Sequence, residues 1–187
     1  RLTKNTNRRP QVYDIPAEIM HHADNIQSFD FDIFQFDEDC PKDEEGNTLV
    51  LYYMGQLAFR TLGLAEQFSI NMEKLRACLK AANDNYNSNP FHNALHASDV
   101  LQTLLYFLSS EKIRANFSDL DLLVLVVAVI FHDVQHPGHT NSFEQRAQTE
   151  RALTYNDTSI LENFHASTCF RILYDERFNF MKAFNSN

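Results

Sequence analysis

The sequence predicts an all-α protein, and three observations carry that reading. Four glycines and five prolines in 187 residues leave few tight turns. Apolar residues recur at three- and four-residue spacing along several stretches. Capping residues stand just ahead of those stretches, at Asn71, Ser118 and Ser159. With 44% hydrophobic and 12% aromatic residues the chain can build one substantial core, and its length suits one domain.

In chain order, residues 1–13 are polar and basic and read as a flexible lead-in. Arg1, Lys4, Arg8 and Arg9 are read as a linker end rather than a binding arm, and 14–187 as the domain proper. Ile15–Ala23 suits a short helix with Pro16 in its first turn. Its His21-His22 pair is a weak metal candidate, because adjacent residues on a helix face different ways, and is expected in solvent. Phe29, Phe31, Phe34 and Phe36 alternate irregularly with acids, which suggests an irregular or short helical segment anchoring its aromatics in the core. The acidic block Asp30, Asp32, Asp37, Glu38, Asp39, Asp43, Glu44 and Glu45, relieved only by Lys42, reads as solvated.

Leu49–Leu62 is a strong helix, apolar at 50, 51, 54, 57, 58 and 62, with Gly63 as its stop. Asn71 caps a second helix to about Ala82, with Leu75, Cys78, Leu79 and Ala82 inward. Residues 83–90 (NDNYNSNP) form a loop by composition, without evident chemistry. The next helix opens at His92 and runs to about Leu108, with Val100, Leu104 and Leu108 inward. Four-residue spacing places His92 and His96 on one face, and Asp99 is near enough to hold an imidazole.

Ser118 and Asp121 form a capping box with Asp in its last place, and so predict a helix over 119–131. A strand is the rival reading, because Val124, Val126, Val127, Val129 and Ile130 favour sheet. The cap and the helical neighbours favour a central, fully buried helix that delivers His132 and Asp133 at its end. His136 follows, and Pro137-Gly138 turns the chain. A helix over 144–153, a turn at 155–157 and a second capping box, Ser159 with Glu162, lead into a helix to about Tyr174. Leu161, Phe164, Cys169 and Ile172 mark its buried side; Glu162 and His165 share a face, and the simplest role for Glu162 is to cap its own helix. Phe178, Phe180 and Phe184 are expected exposed, as if a partner segment were missing.

The net charge of −9 argues against a nucleic-acid surface, although a bound divalent ion would still let a small anion approach. No apolar run reaches the length of a membrane span, and no signal peptide is evident. Cys40, Cys78 and Cys169 are odd in number and unpaired in spacing, so free thiols in a reducing, cytoplasmic setting are expected. The start at Arg1 reads as an excised piece of something longer.

Chemistry concentrates in two stretches. An imidazole beside a carboxylate at the end of an apolar run is costly to bury unless paired or bound to metal. His132-Asp133 makes such a pair, His136 follows it, and His92 and His96 supply a second histidine pair upstream. A helix end with solvated histidines is the plain alternative for either stretch alone.

HNALHASDV at 92–100 and HDVQHPGHTN at 132–141 together resemble the catalytic domain of the class I cyclic-nucleotide phosphodiesterases, within the HD-type metal hydrolase group. FDIF at 31–34 and YNDTSILEN at 155–163 agree with that likeness, which extends from about residue 29 to about 174. The resemblance implies a multi-helix domain of which this chain holds the N-terminal half. It implies hydrolysis of the 3′ phosphoester of cAMP or cGMP to the 5′-monophosphate by two divalent ions and a bridging hydroxide. His96, His132 and Asp133 would hold a zinc ion, and Asp133 would reach a second ion, magnesium or manganese. His136 and Glu162 would bond the metal-bound waters, Asn141 belongs to the same signature, and His92 would be the general acid.

Two ions about 3.5–4 Å apart suit such a reaction, since each lowers the pKa of bound water and offsets phosphate charge. Imidazole and carboxylate suit zinc, whereas magnesium prefers carboxylate and water. The implied partner is the cyclic nucleotide, with a dimer allowed; substrate-binding residues are not assigned. The fourth zinc ligand and the residues that read the purine would lie in the missing C-terminal half. Gln135 replaces a frequent Asp, Phe91 a frequent Tyr, and residues 144–152 are unusually charged. Another HD-type phosphohydrolase, or a metal-stabilised helical module without turnover, are the alternatives.

Overall fold

In the computed structural model the described residues, 11–182, fold into eleven α-helices. They are α1 (Ala17–Met20), α2 (Ile33–Asp39), α3 (Val50–Thr61), α4 (Leu64–Gln67), α5 (Met72–Asp84) and α6 (Ala94–Leu108). After them come α7 (Glu111–Arg114), α8 (Asp119–Phe131), α9 (Asn141–Arg146), α10 (Glu150–Thr154) and α11 (Ile160–Tyr174). A 3-10 turn, His21–Asp24, follows α1, and the strand pairing among the described residues is one isolated bridge between Lys42 and Thr48.

The centre of the core is α3, buried at every position from Val50 to Phe59 and packed between α5 and α6. Its contact with α5 is close: a Cβ on Gly55 would lie 2.6 Å from Leu79 Cδ2. Buried Gln56 is satisfied by the backbone of Asp14, which donates to Oε1 (2.9 Å) and accepts from Nε2 (3.1 Å). The start of α3 is capped from a distance. Asn83 Oδ1 accepts from Leu51 N–H and its Nδ2 donates to Thr48 C=O, both at 3.2 Å. Asn83 and Asp84 therefore belong to α5 rather than to the loop their composition suggests. Gly63, left-handed at φ +64°, ends α3 as expected, and Asn71 caps α5 through Lys74 N–H.

The capping box on α8 is present: Ser118 Oγ accepts from Asp121 N–H, and Asp121 accepts from Ser118 N–H. The expectation that α8 is central and fully buried is corrected. Leu120 is 53% and Val124 59% exposed, so the helix lies at the edge with Leu122, Leu123, Val126, Ile130 and Phe131 inward. A run apolar all round matches a buried helix in sequence whether or not both sides are covered. In α6 the inward set is Ala97, Leu101, Leu105 and Leu108; Val100 and Leu104 are half-buried. Asn93 caps α6 through His96 N–H, which puts His92 before the helix rather than on it.

The stretch 144–153 is two helices, because Gln148 is left-handed (φ +48°) and Thr149 starts α10 as its cap. Phe31 and Phe36 enter the core, whereas Phe29 and Phe34 stay exposed. His22 is buried, contrary to expectation, since the 3-10 turn swings it toward α2. Phe180 is buried edge-on against Phe59 and Phe178 is half-buried against the core, so these aromatics do not mark an open face. Phe184 and residues 1–10 of the lead-in lie outside the described residues; Tyr13 packs on the core and donates to Glu66. The three cysteines are free and buried.

Candidate metal centre

Asp133, just past the end of α8, is the point on which the histidines converge. Its Oδ2 lies 3.4 Å from His96 Nε2 and 3.3 Å from His132 Nε2, and the two imidazole nitrogens are 3.4 Å apart. Its Oδ1 faces His165 Nε2 at 3.8 Å, and Asp133, His136 and His165 form a second group of potential ligands. Three helices supply these side chains: α6 brings His96, the end of α8 brings His132 and Asp133, and α11 brings His165.

Backbone carbonyls set the tautomers. A carbonyl can only accept, so His132 Nδ1–H donates to Val129 C=O (2.8 Å) and His165 Nδ1–H to Val134 C=O (2.7 Å). In each neutral ring this leaves the Nε2 lone pair aimed at Asp133, as a metal ligand requires. His136 is arranged the other way. Its Nδ1 accepts from Gly138 N–H at 3.0 Å, so the neutral ring carries its proton on Nε2 and is a donor there.

The electrostatics agree with a shared anionic centre. Burial is the largest influence on Asp133 and opposes its charge, but the His132 hydrogen bond and the charges of His132, His92 and His165 together outweigh it and hold the carboxyl down at about 2. Burial likewise opposes the charge on His132, and its bonds to Asp133 and Val129 prevail to raise its pKa. Burial, and then a neighbouring imidazole, lower His96 and His136. Burial also lowers His165, against the pull of its carbonyl and carboxylate neighbours. The donor set of imidazole nitrogens with one ionised carboxylate fits a borderline divalent ion.

His92 stands beside this group rather than in it. Its ring stacks on His136 at 3.8 Å and 10°, and its centroid is 6.0 Å from that of His96. Asp99 is exposed and makes no hydrogen bond to an imidazole among those described. Asn141 and Glu162 meet: Asn141 Nδ2 donates to both Glu162 oxygens (3.2 and 3.0 Å), while Asn141 Oδ1 accepts from Leu161 N–H at 2.9 Å. The second capping box is thereby corrected. Ser159 is left-handed and makes no side-chain cap; Asn141 caps α11 across the fold, and this is what holds Glu162.

In the sequence His165 shows only the face it shares with Glu162, and the loop after α5 shows no ligand. Asn87 and Asn89 both donate to His136 C=O (2.8 and 2.7 Å), and Asn89 also donates to His92 C=O at 3.1 Å. Tyr86 accepts from Asp133 N–H and donates to Ile130 C=O, clamping the end of α8. Gln135, left-handed at φ +58°, is held by Asn85 through its backbone N–H (3.0 Å) and its side chain (2.6 Å). The available signal was a run of amides and one Tyr, side chains suited to hold another loop's carbonyls.

A model of the 3′5′-cyclic nucleotide phosphodiesterase family matches residues 91–187, which include every side chain of this centre. The chain is 36% identical over 176 residues to the human high affinity cAMP-specific and IBMX-insensitive 3′,5′-cyclic phosphodiesterase 8A, covering 93% of this chain and 20% of that protein. It is 42% identical over 121 residues to the high affinity cGMP-specific 3′,5′-cyclic phosphodiesterase 9A of Pan troglodytes, covering 65% of this chain and 20% of that one. Among solved structures, the phosphodiesterase domain of the RhoPDE fusion protein from the choanoflagellate Salpingoeca rosetta superposes with a TM-score of 0.69 at 33% identity. That match covers 86% of this chain and 49% of the other. The chain thus spans about a fifth of the length of the curated relatives it matches and about half of a solved domain. Fold, motif order and the match across the whole histidine cluster agree, and the chain belongs to the 3′5′-cyclic nucleotide phosphodiesterase family.

Proposed function

We propose that this chain supplies the metal-holding half of a 3′,5′-cyclic nucleotide phosphodiesterase site, which hydrolyses the 3′ phosphoester to the 5′-monophosphate. One observation carries the reading: Asp133 shares Oδ2 between His96 and His132 while turning Oδ1 to His165. A carboxylate so placed can serve two ions at once. His96, His132 and Asp133 would hold zinc; Asp133, with His165 behind it, would face an oxygen-preferring ion such as magnesium or manganese. When bound, the ions supply acidified water and neutralise phosphate charge.

The remaining work falls to the chain's own groups. His136, a donor at Nε2, would orient a water rather than ligate an ion. Glu162, fixed by Asn141, would accept from a second water. His92 would give its proton to the departing sugar oxygen, its plane fixed by the stack on His136 and its backbone by Asn89. A further ligand and the groups that read the purine would come from the part of the domain beyond the 49% matched. No helix among the described residues is long and apolar enough to cross a membrane. Three buried free thiols suit a reducing, cytoplasmic setting as part of the same proposal.

The test is metal analysis together with hydrolysis of cAMP and cGMP, on the 187-residue chain and on one extended through the rest of the domain. The extended chain should hydrolyse a cyclic nucleotide only with divalent metal, and the short chain should bind metal but turn over poorly. Chelator-insensitive turnover by the extended chain rejects the proposal.

A further inference from the structure

A second set of metal-ligating side chains converges outside the Asp133 cluster. His21 and His22 sit on the 3-10 turn, and Asp39 ends α2. His22 Nε2 is 2.9 Å and His21 Nε2 3.9 Å from the same oxygen, Asp39 Oδ2. Adjacent residues on an α-helix project about 100° apart and rarely share a ligand. Here the tighter turn brings the two ring centroids to 4.0 Å at a tilt of 37°.

The group is braced from outside. Gln35 Nε2 donates to Asp39 Oδ1 at 2.9 Å and so orients the carboxylate. Phe31 and Phe36 meet the His22 ring edge-on at 5.8 and 5.2 Å and fix its plane. His22 is buried while His21 is exposed, which leaves one side open to solvent. The His22 hydrogen bond, and then that of Gln35, hold the Asp39 carboxyl below the ordinary range, so it is anionic at neutral pH.

We propose that His21, His22 and Asp39 form a second metal site, for a borderline divalent ion such as Zn²⁺, with three protein ligands and one position open to water. Zinc bonds of about 2.0–2.2 Å set tetrahedral ligand atoms about 3.3–3.5 Å apart. The shorter contact would open, and the longer one close, by about half an ångström each. A bare His22–Asp39 hydrogen bond would need no second imidazole aimed at the same oxygen. The ion would tie the 3-10 turn to α2, which packs on α6, the helix that carries His96. The site shares no residue with the Asp133 cluster and stands apart from the reading of function above.

The test is zinc titration of the full chain, followed by ¹⁵N NMR of the histidine rings and by metal analysis, with His21→Ala and Asp39→Asn compared. The His21 and His22 ring signals should move together in a step separate from that of His96 and His132. Each variant should weaken that step at least about tenfold and leave the other step alone. His21 is exposed, so its variant should keep the parent's circular dichroism. His21 and His22 signals unmoved at saturating zinc, or equal zinc uptake by His21→Ala and the parent, would overturn the proposal.

Discussion

Replacing Asn141 by Ala separates what this residue does for the fold from what it does for the site. Its Oδ1 accepts from Leu161 N–H at 2.9 Å, at the second residue of α11, where no side chain of the helix's own N-cap helps. Loss of a side-chain cap costs about 1 kcal/mol, and a donor left unpaired where water is scarce costs about 1–3 kcal/mol. Leu161 is buried, so its N–H falls where the two costs meet, about 1–1.5 kcal/mol. The two contacts to Glu162 join exposed groups and add at most about 0.5 kcal/mol. The total is about 1–2 kcal/mol, which for a chain of this size lowers the melting temperature by roughly 2–8 °C. Scanning calorimetry of the metal-free chain measures it. Asn141→Asp keeps an acceptor for Leu161 N–H but sets a carboxylate against Glu162, so it should fall between the parent and the Ala variant. If Asn141→Ala melts within about 1 °C of the parent, water replaces the cap and Asn141 does not hold α11.

Asp133→Ala leaves His96 and His132 without their common anion, and metal retained after dialysis should fall to background; stoichiometric zinc in that variant rejects the centre. His132→Ala should lose metal, whereas His136→Gln should keep it with affinity lowered about 10–100-fold, because the His136 ring donates at Nε2; equal losses would make His136 a ligand. In the extended chain, His92→Asn should leave metal content unchanged and lower kcat about 10²–10⁴-fold, the span of general acid catalysis; unchanged kcat removes His92 from the reaction. Glu144 is buried, and although burial opposes its charge, Arg151 at 2.9 Å and the Thr149 hydroxyl hold its carboxyl below the ordinary 4.5. A depressed carboxylate stabilises the fold fully above pH 4.5 and loses that contribution as pH falls through its lower folded value. Glu144→Gln should therefore lower stability at pH 7 in urea unfolding, a gap that narrows below pH 4.5; a gap independent of pH refutes the pairing.

The helices that could be read from sequence were those whose signals are local. The 118–121 capping box and the Asn71 cap state where α8 and α5 begin, and Gly63 states where α3 ends, without reference to any other segment. Burial was less legible because it depends on partners. The α8 run is apolar on every face, so its pattern could not show that Leu120 and Val124 remain uncovered. The Val100–Leu104–Leu108 stripe on α6 lies about one position from the true inward face at Leu101 and Leu105. The long-range caps left no local mark: Asn83 on α3 and Asn141 on α11 are ordinary amides until the fold brings a distant N–H to them.

The same distinction explains the site. Local spacing pairs His92 with His96 and His132 with Asp133, and it is the resemblance of the two motifs that joins His96 to His132 and Asp133, as the approach of α6 to α8 does in the fold. His165 could not be joined in this way, since what makes it part of the centre is a carbonyl on another segment, Val134, that turns its Nε2 toward Asp133. The loop 85–90 belongs to this class too. It offers no ligand, yet Tyr86, Asn87 and Asn89 take up the carbonyls and N–H groups freed where α8 ends and the chain reverses through His136 and Gly138. A helix that ends on His132-Asp133 leaves its last carbonyls without partners. Pinning them with amides and a phenol that carry no charge adds no further charge to the field at Asp133. Asn87→Asp would break that rule, and its first effect should be on metal affinity rather than on the fold.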